Sequence, residues 1–249
     1  VTSYQKALTL DPEYAEAHYN LGNVLKEQGK LAEAVSSYRN ALAVKLDYAE
    51  AHNNLGNGLK DQGKLDKAVV SYQKALVINP NYAEAHNNLG VALEALGKLD
   101  EAAVNCQKAL TIKPDFAEAY TNLGNSFNGL GLLNEAVASY REALVINPNF
   151  AGGGINLLLA LLYVPGLSPK ELFAEHLRFS ENHTRDIAPP GEGLTNDPSP
   201  DRRLRVGYLS SDFSNHPVGR NILPLLTSHN GVKVEVFCYA DVMRPDGIT

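Results

Sequence analysis

Apolar and small residues return along this chain with a period of 34. Within residues 15–48, Leu21, Val24 and Leu25, with Gln28 completing the row, fall at three-four spacing. Leu31, Ala34, Val35, Tyr38, Ala41 and Leu42 then do so again. That spacing places a row of residues on one helical face, so the unit predicts two amphipathic helices. The same arrangement recurs in 49–82, 83–116 and 117–150, and the units 49–82 and 83–116 agree at 21 of 34 positions. Residues 1–14, VTSYQKALTLDPEY, align with 35–48 and read as the second helix of a partial unit. Further units are therefore expected ahead of Val1.

Each unit carries its own punctuation. Gly29, Gly63, Gly97 and Gly131 stand between the paired helices, where a turn needs an unhindered backbone. Pro12, Pro80, Pro114 and Pro148 close the second helix, since proline donates no hydrogen bond. Leu46 takes that place once, and a looser but intact turn is expected there. Gly22, Gly56, Gly90 and Gly124 on the first helices, with Ala34, Ala68, Ala102 and Ala136 on the second, mark where the pair approaches closely. This Leu-Gly, Ala, Tyr, Ala, Pro pattern resembles the tetratricopeptide repeat, and it covers residues 1–150. Cys106, which replaces Tyr38, Tyr72 and Tyr140 of the other units, reads as a small core residue.

Stacked helical hairpins form a superhelix with a long concave groove, lined in this family by the first helices. Asn20, Asn54, Asn88 and Asn122 recur at one place on successive first helices, and Asn156 continues the series. An amide offers donors and an acceptor, so such a row suits the backbone of an extended peptide. Alternatively, each asparagine caps or bridges its own repeat; the residues alone leave both open. His18, His52 and His86 also recur at 34, but a shared metal is unsuitable. Packed helices lie ~8–10 Å apart, whereas zinc ligands sit ~2 Å from one ion. A packing residue that Tyr120 replaces fits better.

From Ala151 the pattern decays, and residues 151–186 read as a degenerate capping repeat plus a junction helix. Ser168-Pro169-Lys170-Glu171 is a capping box with proline at the first helical position, predicting about four turns, to near His183. Residues 187–203, with four prolines and two glycines and no period, read as a linker. At Leu204 the composition changes again. LRVGYLSSDF and KVEVFCYADV read as buried strands flanking a loop and short helix, one βαβ unit of a parallel sheet over 204–249. One such unit cannot cover both faces of its strands, so the domain is expected to continue beyond Thr249.

The net charge of −6 does not suit a nucleic-acid partner. The longest apolar run, residues 157–164, is far short of the ~20 residues that span a bilayer, so neither a membrane nor a secretory route is expected. Cys106 and Cys238 are the only cysteines, which fits a reducing, cytoplasmic compartment.

The run RLRVGYLSSDFSNHPVGRNILPLL, followed by VEVFCYA, resembles the first strand, catalytic loop and second strand of the O-linked N-acetylglucosamine transferases. The preceding NLLLALLYVPGLSPKELFAEHLRF and the tail YADVMRPDGIT resemble their bacterial branch more than the animal one. The resemblance implies paired Rossmann-like lobes of the GT-B type. It implies inverting transfer of N-acetylglucosamine from UDP-N-acetylglucosamine to Ser or Thr of a protein held by the repeats, with no metal and no further cofactor. His216 matches the family's Asn-His-Pro histidine, which lines the active site. It stands after a parallel strand, where open α/β sheets place ligands, and a histidine there can take the acceptor proton; alternatively it caps the helix at Pro217. The family's donor-binding residues lie in the second lobe, so residues 1–249 alone are expected to be inactive. Two readings compete with this one: a repeat scaffold that docks proteins without catalysis, and a transferase using another nucleotide sugar such as GDP-fucose.

Overall fold

In the computed structural model, residues 1–184, 203–210, 228 and 233–240 are described. The chain divides into two compact units, Val1–Ile187 and Ala188–Thr249.

The first unit is all helix in its described part. After α1 (Thr2–Leu10) come four hairpins: α2 (Ala15–Glu27) with α3 (Leu31–Val44), α4 (Ala49–Asp61) with α5 (Leu65–Ile78), α6 (Ala83–Ala95) with α7 (Leu99–Ile112), and α8 (Ala117–Gly129) with α9 (Leu133–Ile146). Then follow α10 (Ala151–Leu161) and α11 (Pro169–Thr184). The turn glycines Gly29, Gly63, Gly97 and Gly131 have φ of 73, 73, 75 and 78°. This left-handed backbone lets the N–H of Lys30, Lys64, Lys98 and Leu132 close the helix on the carbonyl five residues back, at 2.9 Å in each case. Each second helix ends two residues ahead of the proline place. The residue before the proline is forced toward an extended backbone, as at Asn79 (φ −127°, ψ 91°). At Leu46 the turn has the same geometry without proline, with Lys45 at φ −126° and ψ 97°.

Within a hairpin the packing glycine is there because a tyrosine ring lies on it. A Cβ at Gly56 would stand 2.5 Å from the Tyr72 ring, and Gly22 and Gly124 face Tyr38 and Tyr140 in the same way. Each ring then anchors its hydroxyl, which donates to the side-chain oxygen of Asn23, Asn57 or Asn125 at 2.9, 2.8 and 2.9 Å. The third repeat solves the problem differently. Cys106 replaces the ring and Val91 replaces the accepting asparagine, so donor and acceptor vanish together and neither is orphaned. Phe127, where the other first helices have leucine, packs with Cys106 and takes up part of the vacated space. Cys106 is fully buried, and burial, with Glu94 second, pushes its thiol up to about 12.

Each second helix packs against the first helix of its own hairpin and of the next. The first helices also touch one another in succession, α2 with α4, α4 with α6, α6 with α8 and α8 with α10. They therefore form the tighter, inner row of the stack. Leu157, Ala160 and Leu161 of α10 pack on Ala136, Val137 and Tyr140, and Leu172 of α11 joins them. The capping box forms at Ser168: Glu171 Oε2 accepts from its N–H at 2.8 Å and its hydroxyl at 2.6 Å.

In the second unit, β1 (Leu204–Ser210) and β2 (Val234–Ala240) pair in parallel, from Leu204 against Val234 to Ser210 against Ala240. A parallel pair requires a crossover. Apart from Ser228, which is helical, the short helix expected there lies outside the described residues, as do the linker up to residue 202 and the expected Rossmann-like continuation.

Candidate functional site

The five sequence-singled asparagines stand on the inner row, half-buried. The N–H groups of Asn54, Asn88, Asn122 and Asn156 reach back to the preceding repeat, and Asn54 Oδ1 also accepts from Asn53 of its own repeat at 3.2 Å. Asn54 donates to Asn23 Oδ1 at 2.9 Å and to the Tyr19 hydroxyl at 3.1 Å. Asn88 donates to Asn53 Oδ1 at 3.0 Å, Asn122 to Asn87 Oδ1 at 2.9 Å, and Asn156 to Asn125 Oδ1 at 2.9 Å. Asn20 makes no hydrogen bond with a described residue. A simple rule selects the partner. Where the preceding first helix offers an asparagine at the place of Asn53 or Asn87, the bond goes there. Where that place holds Tyr19 or Thr121, it goes one turn further, to Asn23 or Asn125.

Each cross-repeat bond fixes the amide plane with one N–H. In Asn88, Asn122 and Asn156 the second N–H and the Oδ1 carry no hydrogen bond with a described residue. One donor and one acceptor is the complement of a peptide unit. The row thus combines rigid placement with unused capacity. The supporting asparagines Asn23, Asn53, Asn57, Asn87 and Asn125 were missed in the sequence reading, although their recurrence at 34 was a usable signal.

The histidines hold the turns. His18, His52 and His86 place Nε2 against the carbonyls of Pro12, Leu46 and Pro80, at 2.9, 3.2 and 3.1 Å. A carbonyl only accepts, so Nε2 carries the proton. Among the described residues no group of three or more His, Cys, Asp or Glu is arranged to hold a metal ion. His52 Nδ1 is buried without a partner. Charging the ring would bury an N–H with nothing to accept it. Its pKa is accordingly lowered by burial first and by Lys74, with the Leu46 bond opposing. The folded value lies below the unfolded one, so the unfolded chain binds the extra proton. Stability is full above about 6.5 and is lost as pH falls through the lowered value. Melting curves between about pH 7.5 and 5 should show a larger drop for the native chain than for His52→Tyr, the residue used at position 120; equal drops would contradict this.

His216 lies outside the described residues. No helix among the described residues is long and apolar enough to cross a membrane.

Comparison with known proteins places this geometry. Tetratricopeptide-repeat models match residues 1–29, 22–59, 56–97, 83–116 and 117–150. The model for glycosyl transferase family 41 matches residues 189–249. The probable UDP-N-acetylglucosamine–peptide N-acetylglucosaminyltransferase SEC of Arabidopsis thaliana is 54% identical over 39 residues, 16% of this chain and 4% of the relative. The probable enzyme SPINDLY of the same plant is 40% identical over 97 residues, 39% of this chain and 10% of the relative. These matches thus span a tenth or less of the curated relatives. Among solved structures, MamA is 30% identical with a TM-score of 0.55, covering 59% of this chain and 86% of that one. A mutant of the Thermobaculum terrenum O-GlcNAc transferase is 27% identical with a TM-score of 0.54, covering 80% of this chain and 38% of that one. The repeat matches run over residues 1–150 and the family 41 match over 189–249, so the protein belongs to the tetratricopeptide-repeat proteins and carries in the same chain a segment similar to the family 41 glycosyl transferases.

Proposed function

We propose that this chain supplies the acceptor-binding repeats and part of the catalytic region of a protein O-linked N-acetylglucosamine transferase. The observation that carries the reading is the joining of the repeats to a family 41 segment. The curated relatives named above are UDP-N-acetylglucosamine–peptide transferases, which supports the same donor here. The reaction is inverting transfer to a Ser or Thr hydroxyl in the cytoplasm, without a metal, with His216 as the acid–base or positioning group. The repeats take an extended protein segment along the inner row, through the amide groups of Asn20, Asn88, Asn122 and Asn156; Asn54, whose N–H groups go to Asn23 and Tyr19 and whose Oδ1 accepts from Asn53, shapes the row instead. Transfer of another nucleotide sugar, GDP-fucose above all, keeps this arrangement and changes the donor. A non-catalytic docking scaffold leaves the family 41 segment without a role.

The groove is tested by the combined substitution Asn88→Ala, Asn122→Ala and Asn156→Ala in the natural gene product that contains these residues. Each lost hydrogen bond is worth ~0.5–1.5 kcal/mol. Labelling of a long unfolded acceptor should therefore slow roughly 10-fold or more in kcat/KM. A short serine peptide, too small to reach the repeats, should react as before, which also shows that the variant is folded. An equal loss on both acceptors would remove the groove from acceptor binding.

A further inference from the structure

One inner-row place breaks the repeat. Lys26 and Lys60 occupy it in the first two complete units, Glu94 in the third and Asn128 in the fourth. Glu94 is half-buried and, among the described residues, forms no ion pair and receives no hydrogen bond. It lines an open cavity of about 410 Å³ with Asn125, Asn128, Asn156, Leu99, Gly129, Tyr140 and Leu159. Asn125 Oδ1 is already occupied, accepting from Asn156 and from Tyr140. Asn156 Oδ1 and the Asn128 amide are not. The cavity thus presents one carboxylate and further oxygen acceptors, with Leu99 and Leu159 as apolar walls. Gly129 keeps it open, since a Cβ there would come within 2.9 Å of Leu99.

An unpaired, part-desolvated carboxylate is costly unless a cation joins it. Burial already raises the Glu94 pKa, and its charge raises those of Tyr140 and Cys106 as a second cause after burial. Among the described side chains no lysine or arginine pairs with it. An arriving cation with several N–H donors would satisfy Glu94, Asn156 and Asn128 together, while Leu99 and Leu159 cover an aliphatic stem.

We propose that this cavity is a subsite for one basic side chain, arginine or lysine, of the segment lying in the groove. The proposal rests on the acceptor-groove reading and adds side-chain selection to its backbone recognition. Selection is local: the corresponding places in the first two complete repeats carry lysine and repel the same residue.

The test uses labelled Ser/Thr/Ala-rich peptides with arginine, lysine, citrulline or glutamate at their centre, bound to the 249-residue chain and to Glu94→Gln. Arginine and lysine peptides should bind about 10-fold tighter than the citrulline peptide, and glutamate weakest. In Glu94→Gln the arginine-to-citrulline ratio should fall to near one, with the citrulline affinity unchanged. Peptides that bind equally well, with Glu94→Gln indifferent, overturn the subsite and leave the groove intact. If no peptide binds, the groove reading fails, and titration with N-acetylargininamide decides the subsite by itself. Saturable NMR shifts of the Asn128 and Asn156 amides, absent in Glu94→Gln, support it; no shifts overturn it.

Discussion

Replacing Tyr72 by alanine should cost about 3–5 kcal/mol, the range for deleting a large buried aromatic side chain. The ring is completely buried on Gly56. Its loss leaves a cavity that the glycine cannot fill. The hydroxyl goes too, and Asn57 Oδ1 loses the donor held at 2.8 Å. Burial keeps that hydroxyl well above the usual tyrosine range, so it remains a neutral donor at any working pH. Tyr72→Phe separates the two terms, removing only the hydrogen bond for about 1 kcal/mol. Repeat arrays are stabilised through nearest neighbours. Damage in the second complete repeat should therefore loosen its junctions with α3 and α6 before the fourth repeat is affected. Denaturant unfolding of the three proteins checks the magnitudes. A cost for Tyr72→Ala no larger than that of Tyr72→Phe would show that the ring does not organise the hairpin.

The repeat itself was legible because local rules and packing agree in it. The spacing of Leu31, Ala34, Val35 and Tyr38 gave the helix, and Gly29 needed the left-handed backbone that only its lack of a Cβ makes easy. Ser168 and Glu171 announced the start of α11. Each of these depends on residues within one turn or one hairpin. The amide network was not legible for the opposite reason. Asn122 and Asn156 are equivalent in sequence, yet one bonds to Asn87 and the other to Asn125, because Thr121 stands where Asn87 stands one repeat earlier. That choice depends on the register between repeats. The paired loss of Tyr and Asn at Cys106 and Val91, with Phe127 as filler, is visible in the aligned units once hydroxyl and acceptor are known to meet. Glu94 drew no attention as a single departure from the pattern. Its environment is assembled from α6, α7, α8, α9 and α10, five helices that no local motif connects. His216 was singled out by family resemblance, not by any pattern in the residues around it.

On the proposed function, His216→Ala in the natural gene product should slow sugar transfer ~100-fold or more, the usual contribution of a positioned acid–base group. The melting temperature should hardly move, because a loop histidine adds little to a hydrophobic core. The pairing of these two readouts matters. A residue that merely caps the helix at Pro217 would lower stability and activity together. A group that handles the acceptor proton lowers kcat at full acceptor saturation and flattens the acidic limb of the pH–rate profile. An unaltered rate would remove His216 from the mechanism.

The central claim is that the repeats and the family 41 segment belong to one protein glycosyltransferase. The donor proposed for it is UDP-N-acetylglucosamine, and claim and donor are tested most directly by incubating the natural gene product with an unfolded, serine-rich acceptor and either labelled UDP-N-acetylglucosamine or labelled GDP-fucose. The account predicts N-acetylglucosamine on Ser or Thr hydroxyls, formed with inversion and undiminished by a chelator. Transfer from GDP-fucose alone would contradict the donor, and transfer from neither would contradict the claim itself.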